Sequence, residues 1–206
     1  MSHAETLPLA APGLTAVLFG LSGCLVDFGA RARQQTIALP EHTEATPGAL
    51  ESLHSLQRQQ IPCAWLDDLP PALAQSLSAA LPASIKPAQH SATINPWPAP
   101  NACWQALMNL NVGSLDGCVL VSGEPRLLQS GLNAGLWTIG LASCGSLCGL
   151  SPSEWQALSQ NERDQRRGKA TLQLFGLGVH SVIDHLGELD TCLADINLRR
   201  LKGEKP

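Results

Sequence analysis

The sequence is short of aromatic and basic side chains. Of 206 residues none is tyrosine, and 13 lysines and arginines are outnumbered by 17 aspartates and glutamates, for a formal net charge of −4. A small negative charge argues against capture of nucleic acid by overall charge. No apolar run is long enough to cross a bilayer, and the N-terminus lacks a basic segment followed by a long apolar stretch. We therefore expect no membrane contact, no secretory signal and a cytoplasmic location.

The chain also lacks the cysteine pattern of a metal site. Its seven cysteines include no Cys-x-x-Cys pair, and Cys144 and Cys148 are separated by three residues with no second pair. That spacing suits zinc poorly. Most of the cysteines stand inside apolar runs, where a free thiol packs as a small hydrophobic group. We expect free cysteines and no metal.

What the sequence does have is apolar runs that alternate with amphipathic segments. The strand candidates are 16–19, 61–66, 118–122, 137–142 and 179–183, and the helix candidates are 48–60, 70–81, 102–111 and 124–135. Strands alternating with helices of this length predict an α/β protein with three layers around a central, mostly parallel sheet. We expect one domain over residues 13–200, after a flexible leader (1–12) and before a basic tail (201–206).

The loops after the predicted strands should form one site. In an open parallel sheet, ligands bind at the carboxyl ends of the strands, near the point where the strand order reverses. We therefore expect residues 20–24, 67–69, 95–100 and 122–126 to lie close together.

Several segments resemble one known family. PAPNACWQALMNLNV (98–112), GLNAGLWTIGL (131–141) and GVHSVIDHLGEL (178–189) are similar to segments of the phosphonoacetaldehyde hydrolases, which belong to the haloacid dehalogenase (HAD) superfamily. VDFG (26–29) matches the end of that family's first motif. The resemblance covers most of the chain from Ala16 onward and implies a Rossmann-like HAD core.

The resemblance also implies an enzyme that attacks phosphorus, but its catalytic positions are altered here. Family members use an aspartate at the end of the first strand as the nucleophile, and that position is Gly20. Ser22 stands where phosphatases of the superfamily have an acid, and Cys24 stands where a threonine is usual. The family also has a hydroxyl that binds the transferred group, and Asp67 stands in its place. The cationic residue that the family has before the Pro-x-Pro helix is replaced by Trp97.

The family's magnesium ligands and cap are also expected to be missing. The two acids that hold Mg²⁺ in the family align with Gly123 and Leu127, and Glu124 is one place off. Because Mg²⁺ requires several oxygen ligands, we expect no metal and no other cofactor. The cap, whose lysine forms a Schiff base in the family, would lie within residues 30–47. That segment contains no lysine and is too short for a helical bundle, so we expect a capless core with a short remnant.

These substitutions predict a catalytically inactive pseudoenzyme. The nucleophile, cations and hydroxyl act together in phosphoryl-type transfer, so their joint loss indicates a non-enzymatic, protein-binding or regulatory role. An absent cap would uncover apolar side chains at the sheet edge, which is typical of a contact surface. They are Leu21, Cys24, Leu66, Trp97 and Leu127. A protein partner or a second copy of the chain would bind there, unless Trp97 instead fills the vacated pocket.

A second hypothesis retains a working site. Ser22, Asp67 and Glu124 could form a rebuilt hydrolase, small-ligand or metal site, with His180 or His185 as a base. The simpler interpretation makes both histidines surface or capping residues.

The remaining polar residues have structural interpretations. Asp67 or Asp68 is expected to cap the helix that starts near Pro70, and Asp27 is expected to be structural. The basic segment RRLKGEKP (199–206) leaves contact with RNA or a ribosomal partner open on charge alone.

Overall fold

A six-stranded sheet forms the centre of the protein. The computed structural model describes residues 13–34, 39–88 and 95–206. The strands are β1 (Ala16–Gly20), β2 (Cys63–Leu66), β3 (Lys86–Pro87), β4 (Cys118–Ser122), β5 (Trp137–Leu141) and β6 (Ser181–Ile183). Their order is β3-β2-β1-β4-β5-β6, and every neighbouring pair is parallel. The predicted fold class is confirmed, with a sheet that is parallel throughout.

Helices cover both faces of this sheet. They are α1 (Ala49–Arg58), α2 (Pro71–Leu77), α3 (Asn101–Asn109), α4 (Pro125–Asn133), α5 (Pro152–Ala157), α6 (Gln160–Gly176) and α7 (Leu189–Leu201). Side chains of α1, α2 and α7 pack in one apolar cluster with Val17 and Phe19, whereas α3 and α4 pack with Ala16 and Leu18. Because successive side chains of a strand point to opposite faces, β1 contributes to both layers. Its continuous apolar sequence reflects burial on both sides.

The helix boundaries follow local signals in the sequence. Gly135 adopts a positive φ of 74° two residues after α4 ends, as expected of a glycine that terminates a helix. The candidate helix 70–81 divides into α2 and a short 3-10 helix, Ser78–Ala80. Ser151 and Ser159 form capping boxes at the starts of α5 and α6.

The segment between β1 and α1 is short. Within its described residues it forms two 3-10 helices, Arg31–Gln34 and Pro40–His42. The expected leader (1–12) lies outside the described residues. None of the described helices is both long and apolar enough to span a membrane.

The arginines of the basic C-terminal segment are used inside the fold. Arg199 pairs with Glu204 at 2.8 Å and lies over the Trp137 ring at 4.7 Å. Arg200 is buried and pairs with Asp116 at 2.9 Å. Because α7 continues to Leu201, the boundary expected at residue 200 falls inside a helix. An RNA contact through this segment would therefore have to use Lys202 and Lys205.

Candidate functional site

The carboxyl ends of β1 and β4 approach each other very closely. They are neighbours at the point where the strand order reverses. A Cβ atom added to Gly20 would lie 2.7 Å from Ser122 Oγ and 3.4 Å from a methyl carbon of Leu127. Real Cβ atoms do not approach other atoms at 2.7 Å. A side chain at the end of β1 would therefore fit only if the Ser122 hydroxyl turned aside.

The loop after β4 is packed just as tightly. A Cβ atom on Gly123 would overlap the carbonyl oxygen of Gly23 and lie 2.8 Å from that of Cys144. Both obstacles are backbone atoms, which cannot rotate away. The loops after β1, β4 and β5 thus meet backbone to backbone, and position 123 accepts only glycine without rearrangement.

Asp27 holds the loop after β1 in shape. Its Oδ2 accepts hydrogen bonds from Ser22 Oγ at 2.7 Å and from Ala32 N at 2.9 Å, and its Oδ1 accepts from Arg31 N at 3.0 Å. The carboxylate is buried but satisfied by these three donors. The structural role predicted for Asp27 is confirmed, and the Ser22 hydroxyl is engaged with it rather than with a histidine.

Glu124 is bound into the start of α4. Its Oε1 accepts from Arg126 N at 3.2 Å, which makes it the N-cap of the helix, and its Oε2 accepts from Ser146 Oγ at 3.2 Å. A carboxylate at a helix N-terminus is stabilised by the free backbone N–H groups there. The structure therefore gives Glu124 a capping role that the sequence analysis did not assign.

Arg33 is the residue at this edge that sequence reasoning missed. It belongs to the 3-10 helix Arg31–Gln34, and its guanidinium pairs with Asp68. Its Nε lies 3.7 Å from Glu124 Oε2, and its Cζ lies 5.6 Å from the centre of the Trp97 ring. One fixed positive charge thus contacts three of the four loops that were predicted to converge. An arginine in a segment of unassigned structure offered no signal of this role.

Trp97 fills space beneath that arginine. Its side chain is 5% exposed and packs in the apolar cluster that includes Leu66 and Leu127. Its carbonyl oxygen accepts a hydrogen bond of 2.6 Å from Arg126. Trp97 was expected either to fill the vacated pocket or to form part of a contact surface. In the structure it fills the pocket.

The apolar contact surface predicted at the sheet edge is not present in the folded chain. All five of its side chains are at least 95% buried, namely Leu21, Cys24, Leu66, Trp97 and Leu127. The prediction assumed that an absent cap leaves apolar groups uncovered. Instead the loops pack against one another and bury these groups. Burial also raises the pKa of the Cys24 thiol well above its usual range, so this thiol is not ionised at neutral pH.

The predicted helix cap near Pro70 is also wrong. The N-cap position of α2 is Pro70 itself, without a side-chain cap bond. Asp67 Oδ1 accepts instead from Leu69 N at 2.8 Å, in a local turn, and Asp68 pairs with Arg33. These carboxylates shape the loop after β2 rather than the helix.

The two candidate histidines accept hydrogen bonds from backbone amides. His185 Nδ1 accepts from Gly187 N at 3.2 Å and caps a short 3-10 helix, as its capping interpretation expected. His180 Nδ1 accepts from Thr138 N at 3.0 Å, near the amino ends of β5 and β6. Neither is placed as a base for Ser22, whose proton goes to Asp27.

The residues present do not fit a magnesium site. Positions 123 and 127 are a glycine with no room for a side chain and a buried leucine. Asp68 and Glu124 already face the guanidinium of Arg33. Among the described residues, no three His, Cys, Asp or Glu side chains are grouped so that they could hold a metal ion.

Comparison with known proteins finds relatives that are similar over half of the chain. No family model matches the chain. The phosphonoacetaldehyde hydrolase of Klebsiella pneumoniae is 40% identical over 106 residues, which are 50% of this chain and 39% of that protein. That of Salmonella typhi is 37% identical over the same length. The matched stretch thus spans well under half of these curated relatives.

Solved structures match over nearly the whole chain. One crystal structure is 63% identical, with a TM-score of 0.91, and covers 94% of this chain and 100% of its own. A phosphonoacetaldehyde hydrolase-like protein from Oleispira antarctica is 23% identical, with a TM-score of 0.82 and full coverage of both chains. A HAD family hydrolase from Deinococcus radiodurans, at 18% identity, has a TM-score of 0.60 and covers 90% and 97%.

The last two structures show a shared fold, while the curated relatives supply the link in sequence. The overall α/β fold, built on the six-stranded parallel sheet, is shared with both. The chain is thus similar in sequence, over half of its length, to the phosphonoacetaldehyde hydrolases, and it shares its fold with structures of HAD-type proteins.

Proposed function

We propose that this chain is a catalytically inactive HAD-fold protein with a non-enzymatic, protein-binding or regulatory role. The observation that carries the proposal is the contact at Gly20, where a Cβ atom would lie 2.7 Å from Ser122 Oγ. The end of β1, where the related enzymes have their nucleophile, holds no side chain, and a side chain placed there would fit only after the Ser122 hydroxyl turned aside. Transfer of a phosphoryl-type group needs a nucleophile together with charge neutralisation.

The charge distribution supports the same proposal. Arg33 faces Asp68 and Glu124, the carboxylates that remain at this edge. Asp67 stands where the resemblance places a hydroxyl that binds the transferred group, and its Oδ1 accepts from Leu69 N in a local turn. The charged side chains of this edge are thus engaged in contacts within the protein.

A binding role must use surfaces other than the carboxyl edge. The structure exposes large apolar side chains on three helices: Trp104 and Met108 on α3, Leu172 and Phe175 on α6, and Leu198 and Leu201 on α7. The partner, another protein or a second copy of this chain, would bind at such residues. Affinity purification with the wild type and with Leu172→Ser/Phe175→Ser tests the α6 pair, and an unchanged set and amount of partners would rule that pair out.

A turnover assay tests the loss of catalysis. The purified protein is incubated with phosphonoacetaldehyde and with p-nitrophenyl phosphate, with and without Mg²⁺, beside an active phosphonoacetaldehyde hydrolase. We expect no turnover above buffer, and none after Gly20→Asp, because the single change does not restore the metal ligands. Mg²⁺-dependent turnover that disappears in both Asp67→Ala and Glu124→Ala would overturn the proposal.

The alternative of a rebuilt site is not favoured by a specific observation. Ser22 donates to Asp27, Asp67 accepts from Leu69 N, and Glu124 caps α4. None of these bonds joins two members of the trio.

A further inference from the structure

A cavity of about 390 Å³ lies between the first half of α6 and the segment that precedes α1. We call it the α6 cavity. One of its walls is formed by residues 41 and 44–47, and others are formed by α5 and α6. Cavities of roughly 300–1,000 Å³ are typical of small-molecule sites. The α6 cavity is thus large enough for a small organic molecule, and the close contacts around Gly20 and Gly123 are not part of it.

Two aromatic rings give the α6 cavity an apolar side. Phe28 and Trp155 both line it, and their ring centres lie 6.1 Å apart with the planes tilted by 52°. Phe28 belongs to a core cluster of the protein, and Trp155 packs against that cluster. Because both rings are anchored by packing, this side of the cavity is preformed in the folded chain. An apolar group that lies against the rings is removed from water, which favours its binding.

Arg163 places an unpaired positive charge at the α6 cavity. Its side chain is partly buried, and its Nε is shielded from solvent. Within residues 13–34, 39–88 and 95–206, no group accepts a hydrogen bond from this guanidinium or forms an ion pair with it. Arg167, one turn further along α6, is by contrast paired with Asp164 at 2.9 Å and with Asp184 at 2.7 Å. A partly buried donor without an acceptor is unfavourable, and a carboxylate can accept from a guanidinium through both of its oxygens.

The segment before α1 carries the opposite charge. Glu44 is exposed and lines the cavity, and no residue in the described part of the chain forms an ion pair with it. Glu41 lines the cavity too, with its Oε1 3.6 Å from His42 Nε2. A ligand with a carboxylate alone would meet repulsion from the two glutamates. A ligand with an ammonium group alone would leave Arg163 without a partner.

We propose that the α6 cavity binds a free α-amino acid with an apolar side chain. Its carboxylate accepts hydrogen bonds from the Arg163 guanidinium, and its ammonium group lies toward Glu44. Its side chain packs against Phe28 and Trp155. A zwitterion complements the charges of both walls, which neither a simple anion nor a simple cation does. The site needs no catalysis and therefore does not depend on the proposed loss of enzymatic function.

Three probes with the same phenyl ring test the requirement for both charges. Isothermal titration calorimetry with the full chain compares L-phenylalanine, 3-phenylpropionate, which lacks the ammonium group, and 2-phenylethylamine, which lacks the carboxylate. We expect phenylalanine to bind about tenfold more tightly than the amine, because the contact with Arg163 is charged and partly buried. It should bind about threefold more tightly than 3-phenylpropionate, because Glu44 is exposed and its charge is screened. Equal affinities of phenylalanine and either single-charge probe, or no binding of phenylalanine at millimolar concentration, would overturn the proposal.

Variants locate the site. Arg163→Gln should weaken binding of phenylalanine about tenfold and leave that of 2-phenylethylamine unchanged, a pattern that a general loss of folding would not produce. Glu44→Gln should weaken binding of phenylalanine about threefold without weakening that of 3-phenylpropionate. Arg166→Gln, at an exposed arginine of α6 outside the cavity lining, is the matched control and should bind phenylalanine as the wild type does. Thermal unfolding checks that each variant is folded, and an unchanged affinity for phenylalanine in folded Arg163→Gln would contradict the proposal.

Discussion

Two regions of the same sheet edge differ sharply in packing. At the ends of β1 and β4, glycines allow loops to meet backbone to backbone, and Gly123 has no room for a Cβ atom. Beside β2, only a short distance along the edge, a cavity of about 720 Å³ remains. The ends of β1 and β4 are closely packed, whereas the neighbouring space beside β2 is open. Small residues at the ends of β1 and β4 allow the loops there to close in.

Arg33 connects the two regions. Its guanidinium pairs with Asp68, which lines the cavity beside α2, and faces Glu124, which caps α4 in the packed region. The glycine contacts and the arginine can be changed separately by mutation.

The largest effect is expected from adding a methyl group in the packed region. Gly123→Ala should lower the free energy of unfolding by about 3 kcal/mol, because its Cβ meets backbone oxygens that cannot rotate away. Gly20→Ala should cost about 1.5 kcal/mol, because the Ser122 hydroxyl can turn aside but then loses its bond from the Glu124 amide. Urea unfolding monitored by tryptophan fluorescence measures both values.

Gly113→Ala is the matched control for these variants. A Cβ atom at this position meets no atom within 4 Å, so its free energy of unfolding should match that of the wild type. Equal losses in Gly113→Ala and Gly123→Ala would show that the packed region is no tighter than an open loop.

A smaller effect is expected from Arg33→Gln. Removing the guanidinium leaves Asp68 and Glu124 without their shared positive charge, which should cost about 1 kcal/mol at low salt. Because the Arg33 side chain is 22% exposed, the loss should shrink as salt screens the charges. Arg33→Lys should retain part of the stability. A loss that is the same in 20 mM and 1 M NaCl would mean that Arg33 acts through packing rather than charge.

The smallest effect belongs to the opposite, amino edge of the sheet. Burial, together with the nearby charge of Arg199, lowers the pKa of the His180 imidazole. The unfolded chain therefore binds a proton at this ring more readily than the folded chain does. Above about pH 6.5 the ring is neutral in both states, and its contribution to the stability of the folded chain is fully present. It is lost as the pH falls through the lowered pKa of the folded state.

His180→Gln should remove this pH dependence, and His185→Gln, at an exposed capping position, should retain it. Melting temperatures between pH 5 and 7.5 measure the difference between the two variants. A wild type that becomes more stable as the pH falls across this range would contradict the sign of the effect.

Several features of the site followed from local sequence signals. Alternating apolar and amphipathic segments predicted the parallel sheet, and the general geometry of such sheets predicted that the loops would converge, as the contacts of Arg33 with Asp68, Trp97 and Glu124 now show. The structural role of Asp27 was also predicted correctly. Exposure of Trp97 and its apolar neighbours was predicted wrongly, because an apolar side chain at a loop position packs inward or outward according to groups distant in sequence.

The sequence by itself determined the α/β architecture, the strand and helix positions and the absence of a side chain at Gly20. These depend on periodicities of two and 3.6 residues and on residue identity, which are local properties. Only the tertiary structure decided that Ser122 and Leu127 pack closely against Gly20, that Arg33 stands over Trp97, and that a cavity lined by Asp67 and Trp65 remains beside α2. Each of these is set by contacts between elements far apart in the chain, and their distances arise only when the layers pack.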